Sequence, residues 1–486
     1  MTRYGLRRGI ACDVGRIRPL VVLIVLVVLV AGGGITAYAL GGFDRWLDDS
    51  DTDSALDVEP PEELDFPPAR TPQSVLDAAR PAPLDRQAVE QAVRAVLKDR
   101  KFGKHTGIAV APLNRGKAVT VGSGTYVPAS TLKNFTSLAA LKSLGADTRF
   151  DTRVVQAGGG KVAKLTLVGG GDPLLATKAP ADSDEYPRPA TLADLADRTA
   201  QQLRQSGVKR VSLQYDDTLF KGPGVNPRWE DSYITTNVNT TVSALWVDEG
   251  ITNDATGERT TEPARVAGET FAEQLEKRGV TVKGSVGSSR APDGADEIAS
   301  VSSPPLEQIV EHLLTVSDND AAEVVLRQLA IGEGEQASFN GGVAAMKSVL
   351  TSLGVPWDGI RVYDGSGLSR SNQVTLRAEL SVLKIAATSR DPDVHVLTSG
   401  LPVAGFSGSL ADRFTSGSST AGLGVARAKT GTLTGIHAYA GITTDKQGAP
   451  LVFVAIANKV KDKNVLEARA GLDDIAAALT ACACTR

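Results

Sequence analysis

Strand patterns at the two ends of this chain have to be satisfied together. Apolar runs at 106–111 and 118–121 read as strands near the start of the globular part. Two more, 437–443 and 451–457, lie near its end around Asp445-Lys446-Gln447-Gly448. A helical pattern over 86–98 precedes the first pair, and another over 466–478 follows the last. Strands and a helix at both ends predict one antiparallel sheet built from both ends and covered by helices. Between them, periodicity predicts helices at 130–144, 192–205, 306–314 and 321–330. Strands are expected at 152–155, 162–168 and 210–215. Turns are expected at Asn114-Arg115-Gly116 and Gly158-Gly159-Gly160, and no repeat period stands out.

The front of the chain sets an address. Arg3, Arg7, Arg8, Arg16 and Arg18 precede Leu20–Leu40, a run of 21 uncharged residues, enough to cross a hydrocarbon core of roughly 30 Å. Arginines before the run and acids after it predict a cytoplasmic N-terminus and an exported body. An uncleaved single-pass membrane anchor over 1–40 is the expectation. A signal peptide cleaved near Ala39, after the small-residue site Ala37-Tyr38-Ala39, is the alternative. Residues 41–84 are rich in Asp, Glu and Pro and predict an extended tether. Cys12 would face the reducing side, whereas Cys482 and Cys484 would face the oxidising side, where a disulfide is possible.

Composition narrows the function classes. A formal net charge of -4 over 486 residues and 5% aromatics give neither the basic surface nor the stacking platforms of a nucleic-acid binder. With 4 His, 3 Cys, no HExxH and no CxxC pair, neither a metal site nor a cofactor is expected. A Ser-His-Asp hydrolase would need His105, His312, His395 or His437, and none lies in a G-x-S-x-G context.

Three short motifs carry chemistry. Ser130-Thr131-Leu132-Lys133 places a hydroxyl and an amine three residues apart, on one face of a helix. The serine needs a base, and a lysine serves if burial or a nearby cation depresses its pKa. The helix N-terminus offers N–H groups to an oxyanion. A second copy, Ser206-Gly207-Val208-Lys209, straddles a helix-ending Gly and lacks that geometry. Ser317-Asp318-Asn319 falls between two helical patterns, where a hydroxyl can relay a proton and an amide can hold a carbonyl. Ser338-Phe339-Asn340 is a rival copy. Lys429-Thr430-Gly431-Thr432 precedes the last strands and so predicts an edge strand beside a cleft. Lys429 and the threonine hydroxyls suit a carboxylate there, and Gly431 allows close approach.

The order of these motifs, with the stretches PASTLKNFTSLAALKSLGADTRFDT, LVGGGDPLL, LLTVSDNDAAEVVLRQLA and YDGSGLSR, resembles the type-4, class C low-molecular-mass penicillin-binding proteins. The resemblance covers about residues 85–480. It implies an α/β (α+β type) fold of the penicillin-binding/serine β-lactamase-like transpeptidase kind, an antiparallel sheet flanked by helices with a large inserted α/β region. Residues 85–151 and 302–486 would form the penicillin-binding domain and 152–301 the insert, since about 180 residues separate Lys133 from Ser317. The implied activity is that of a serine D-Ala-D-Ala carboxypeptidase, with endopeptidase action as a further possibility, on peptidoglycan stem peptides ending in D-Ala-D-Ala. β-Lactams would be its inhibitors. The resemblance makes Ser130 the nucleophile, Lys133 its base and Ser317 the proton relay. It makes Asn319 a substrate clamp, and Lys429, Thr430, Gly431 and Thr432 the carboxylate-binding strand. The N–H groups of Ser130 and Thr432 would form the oxyanion hole. The segment from Asp364 to Arg370 matches too and reads as a turn shaping the site wall. A serine β-lactamase, for which no E-x-x-L-N segment is present, and a non-catalytic wall-binding protein are the alternatives.

Overall fold

A computed structural model describes residues 83–486, apart from 114–115, 159–161, 183–185 and 254. The expected anchor, nearly all of the acidic tether, Cys12, and most of the turns at 114–116 and 158–160 lie outside the described residues. Among the described residues no helix is long and apolar enough to cross a membrane. The described residues belong to one compact unit.

The elements run α1 (Arg86–Asp99), β1 (His105–Pro112), β2 (Val119–Val121), β3 (Thr125–Tyr126), α2 (Lys133–Leu144), β4 (Asp151–Ala157), β5 (Ala163–Val168), α3 (Leu192–Gln205) and β6 (Arg210–Asp216). They continue through α4 (Pro263–Lys277), β7 (Thr281–Val282), β8 (Gly287–Ser288), β9 (Asp296–Ser302), α5 (Leu306–Thr315), α6 (Asn319–Gly332) and α7 (Phe339–Ser352). The last are β10 (Val374–Thr375), α8 (Leu376–Thr388), β11 (Arg427–Leu433), β12 (Ile436–Thr444), β13 (Pro450–Asn458) and α9 (Val465–Ala481).

The main sheet has the order β11-β12-β13-β1-β2 and is antiparallel throughout. Early and late chain meet along β1 and β13, where Ile108 faces Ala455 and Val110 faces Phe453. Side chains alternate between the faces of a strand. Ile108, Val110, Leu451, Phe453 and Ala455 pack towards α1 and α9, with Leu472, Ile475 and Leu479. Ala109, Ala111, Val452, Val454 and Ile456 pack towards α2 and α8, with Phe135, Leu138 and Leu383. With both faces covered, these strands are nearly continuous hydrophobic runs. Helix α2 is buried from Lys133 to Leu141 on every side, so it is a central helix and not an amphipathic surface one. Cys482 and Cys484 are joined as a disulfide beyond α9.

A second sheet, in the order β8-β6-β5-β4-β9 with β7 also on β6, mixes parallel and antiparallel pairs. Its own core joins Leu165, Leu167, Leu213, Leu195, Leu203 and Phe271 against α3 and α4. Two neighbouring strands, β4 and β9, begin and end the segment, with Asp151 opposite Ser302. Trp229, Tyr233, Val242 and Trp246 leave this sheet and pack into the main core with α2 and α6.

The elements follow their expected positions with shifted ends, and among the helices the periodicity did not mark are three long ones: α4, α7 and α8. Side chains cap several helices: Asp85 on Ala88 N at 3.1 Å, Thr191 on Asp194 N at 3.0 Å, and Ser338 on Gly341 N at 3.2 Å.

One side chain ties the main sheet to the segment leading into Ser130. Asn458, at the end of β13, accepts from Val127 N at 2.8 Å and donates to Val127 O at 3.1 Å. Asn458→Ala removes the partner of both part-buried backbone groups, at a cost of about 1 kcal/mol or more in total. We expect a clear fall in chemical-denaturation stability without a change in m-value; a loss below about 0.5 kcal/mol would contradict this reading of the contact.

Candidate active site

Ser130 does not open α2 itself. It sits on a separate 3₁₀ turn, Ala129–Leu132, that leads into α2 at Lys133. Three residues advance one turn of a 3₁₀ helix, so Ser130 and Lys133 still share a face. Ala129 holds a left-handed φ of 50°, an unfavourable backbone for a residue with a Cβ. The carbonyl oxygen of Ala129 leaves room only for a glycine at Gly367, where a Cβ would lie 1.9 Å away.

Lys133 is 0% exposed and its ammonium has three acceptors. Nζ donates to Ser130 Oγ at 3.1 Å, to Asn319 Oδ1 at 2.8 Å and to the Ser366 carbonyl at 2.9 Å. Burial pulls its pKa down to about 8, against the opposing pull of Asp318, Glu323, Asp364 and Asp320. Of the two causes considered from the sequence, burial stands, and the carboxylates around Lys133 oppose it by raising the pKa; Lys133 and Lys429 also repel one another.

Lys429 lies on the edge strand β11, also fully buried. Its Nζ donates to Ser317 Oγ at 2.8 Å and to the Thr430 carbonyl at 2.9 Å. Burial first, and the charge of Lys133 second, hold its pKa well below the usual lysine range.

Ser317 occupies the break between α5 and α6 with a left-handed φ of 64°. A non-glycine residue held there costs on the order of 1–3 kcal/mol, a strain that clusters at functional sites. Asp318 caps α6 on Ala321 N at 3.0 Å. Asn319 opens the helix and donates from Nδ2 to the Val238 carbonyl at 3.1 Å. Thr430 Oγ1 donates to Ser409 Oγ at 2.8 Å. At Gly431 a Cβ would lie 2.7 Å from the Pro128 carbonyl oxygen, so the strand presses on the Ser130 turn.

A cleft of about 490 Å³ collects Ser130, Ser317, Asn319, Thr430 and Thr432 on its wall, with Lys133 and Lys429 beneath. Tyr233 and Arg370 close one side. Arg370 pairs with Glu230 and donates to the Thr434 carbonyl at 2.8 Å.

The two rival motifs lie elsewhere. Ser206 ends α3, and Lys209 pairs through its carbonyl with Thr281 N at 2.9 Å in the second sheet. Ser338 is the buried cap of α7. No histidine lines the Ser130 cleft: His105 stacks on Tyr126, His395 binds the Ser389 carbonyl, His437 is buried on β12, and His312 meets Asp318.

The segment from Asp364 to Arg370 does more than shape a wall. It supplies the Ser366 carbonyl to Lys133 and the Gly365 carbonyl to Thr136 Oγ1 at 2.7 Å. Buried Glu323 accepts from Gly365 N and Ser366 N, the latter at 2.8 Å. Asp364 gathers Ser369 N at 2.6 Å, Asn372 Nδ2 at 2.7 Å, Trp229 Nε1 at 2.8 Å and Gly367 N at 3.1 Å. Glu323 was legible in principle, since it stands four residues after Asn319 on the same helical face. Nothing local marks Trp229, which comes from a distant loop.

The arrangement suits a serine nucleophile whose proton passes to a lysine. Lys133 accepts a proton only when neutral, and the neutral fraction grows as pH rises through about 8. Modification of Ser130 by a serine-directed acylating agent is therefore expected to climb between about pH 7 and 9. Lys133→Arg keeps the charge at every such pH and should lower the rate at least about 100-fold. A flat profile, or a Lys133→Arg protein reacting at parent rates, would remove Lys133 from the role of base.

Comparison with known proteins agrees with this geometry. The D-Ala-D-Ala carboxypeptidase 3 (S13) family profile matches residues 89–260 and 253–479. A carboxypeptidase of Mycobacterium tuberculosis is 34% identical over 403 residues, covering 82% of this chain and 84% of its own. Carboxypeptidase DacB of Mycolicibacterium smegmatis is 33% identical over 428 residues, covering 86% and 89%. The crystal structure of penicillin binding protein 4 from Haemophilus influenzae superposes with a TM-score of 0.67 at 22% identity. It covers 79% of this chain and 97% of that one, and it shares the mixed α/β fold.

Proposed function

The chain belongs to the D-Ala-D-Ala carboxypeptidase 3 (S13) family, and on that premise we propose that it is a serine D-Ala-D-Ala carboxypeptidase acting on peptidoglycan stem peptides. The observation that carries this reading is the contact of Ser130 Oγ with the buried Lys133 amine at 3.1 Å, beside a second hydroxyl–amine pair, Ser317 and Lys429, at 2.8 Å.

Neutral Lys133 takes the Ser130 proton as Oγ attacks the carbonyl of the penultimate D-alanine. The N–H groups of Ser130 and Thr432 receive the oxyanion, a stabilisation that typically supplies ~2.7–4 kcal/mol per donor. Ser317 passes a proton to the leaving D-alanine nitrogen and takes one back from protonated Lys133, which is neutral again, while Lys429 backs the Ser317 hydroxyl. Asn319 holds the acyl-side amide, and the hydroxyls of Thr430 and Thr432 with Lys429 receive the terminal carboxylate. Water then attacks the acyl-enzyme, with Lys133 again taking a proton. No cofactor or metal enters these steps. A β-lactam places a strained amide and a carboxylate in the same positions and acylates Ser130. We further place the body outside the cytoplasm, held by an anchor in residues 1–40 and the tether that follows. The charge pattern around 20–40 supports this.

Fluorescent penicillin should label the chain once, at Ser130, and Ser130→Ala should abolish labelling with an unchanged circular dichroism spectrum. Purified muropeptides read by mass should lose one terminal D-alanine; products from cross-linked dimers would add endopeptidase action. Full labelling of the Ser130→Ala protein would overturn the assignment.

A further inference from the structure

Behind the Ser317 turn, on the side away from the cleft, three side chains converge that the proton-transfer steps do not use. Glu249, His312 and Asp318 each bring one ligand atom to a common point, all within 4.8 Å of one another. They come from three separate places: a tight turn after Trp246, helix α5, and the cap of α6.

The distances discriminate between occupants. His312 Nε2 lies 3.4 Å from Asp318 Oδ2. That is long for an N–H···O hydrogen bond, which falls at about 2.7–3.2 Å. It matches the edge of a tetrahedral coordination shell: ligands at about 2.0–2.2 Å from a metal stand roughly 3.3–3.6 Å apart. Asp318 is only 5% exposed in its side chain. Its Oδ1 is used by Ala321 N, whereas Oδ2 points into the cluster with no hydrogen bond and only the long contact to His312. A buried carboxylate oxygen so weakly paired costs free energy that a cation would return.

Charge points the same way. Glu249, Asp318 and Asp320 bring three carboxylates to this region. The guanidinium facing them is Arg259, 2.6 Å from Asp320 Oδ2 and 3.7 Å from Glu249 Oε2. Arg259 also donates to Thr240 Oγ1 and the Glu249 carbonyl, and Asp320 Oδ1 accepts from Thr240 N, so Arg259 and Asp320 are committed to each other. Glu249 and Asp318 are the carboxylates that remain facing His312 in the cluster. The site is reachable. A cavity of about 270 Å³, walled by Leu174, Ala176 and Pro187, opens onto Glu249 and His312 and has room for water to complete a shell.

We propose that Glu249, His312 and Asp318 form a binding site for one divalent transition-metal ion of the Zn²⁺ class, which clamps the Ser317-Asp318-Asn319 turn from behind. One imidazole with two carboxylates suits Zn²⁺ better than Mg²⁺ or Ca²⁺, which favour all-oxygen shells. The ion has a structural role: it joins the 247–250 turn to α5 and to the cap of α6, and so fixes the strained Ser317 backbone. The competing occupant is a proton shared between Glu249 and Asp318.

The test uses the full chain in detergent, stripped with EDTA and dialysed, and titrated with ZnCl₂ alone by calorimetry. One Zn²⁺ per chain is expected, with a dissociation constant below about 10 µM, and a rise in melting temperature of at least ~2 °C at saturation. His312→Gln and Glu249→Gln should each weaken binding at least about tenfold and remove the thermal shift. MgCl₂ at the same concentration should give neither. Zinc-edge absorption on the parent protein needs no variant to fold: one imidazole nitrogen and oxygen ligands at ~2.0–2.1 Å are expected. No saturable binding, binding indifferent to both substitutions, or a shell without imidazole would overturn the site and leave the shared proton. Binding is read without turnover, and penicillin labelling of the same samples reads the acyl-enzyme separately, so either conclusion can fail alone.

Discussion

An ammonium group with no contact with solvent is the constraint around which this molecule is arranged. Moving a charged lysine out of water is costly unless its hydrogen bonds are replaced. Lys133 finds three acceptors, and each comes from a different part of the chain: the Ser130 hydroxyl, the Asn319 amide and the Ser366 carbonyl. To hold those acceptors in place, a second set of buried groups is needed. Glu323 and Asp364 bind the backbone of the 364–370 loop, and Trp229 reaches across from the second sheet's segment to Asp364. The pKa of about 8 is the balance of these effects, with burial outweighing four carboxylates.

The fold was legible where burial is two-sided. The runs at 437–443 and 451–457 are apolar on both faces because helices cover both, and the pairing of 451–457 with 106–111 on one side and 437–443 on the other follows from the need to close one sheet. The helices that periodicity did not mark are informative. Helix α7 begins Phe339-Asn340-Gly341-Gly342, and its glycines let it approach α6, where a Cβ on Gly342 would lie 2.5 Å from Leu326. Glycines in a helix read as loop residues because their propensity is poor, and close packing overrides propensity here.

The site was legible in its motif residues and not in their supports. Ser130, Lys133, Ser317, Asn319, Lys429, Thr430 and Thr432 were found by type and spacing, and the fold brings them to one cleft. The opposing pull on Lys133 was not legible, because its carboxylates include Glu323 and Asp364, whose relation to it exists only in three dimensions. His312 was weighed as a partner for a serine. It instead faces Asp318 on the far side of the Ser317 turn, a contact between residues whose spacing carries no familiar signature.

The sheet built from both ends of the chain has a bearing on the order of events during synthesis. Strand β1 and the Ser130 turn leave the ribosome early, but their neighbours β11, β12 and β13 are among the last segments made. Until residue 458 has emerged, β1 lacks β13, the Val127 backbone has no Asn458 to bind, and Lys429 has no Ser317 partner geometry to complete. Contacts so distant in sequence form late and leave apolar strand edges waiting. A reactive serine in a protein made inside the cell is therefore kept without its cleft until the whole chain is available to fold.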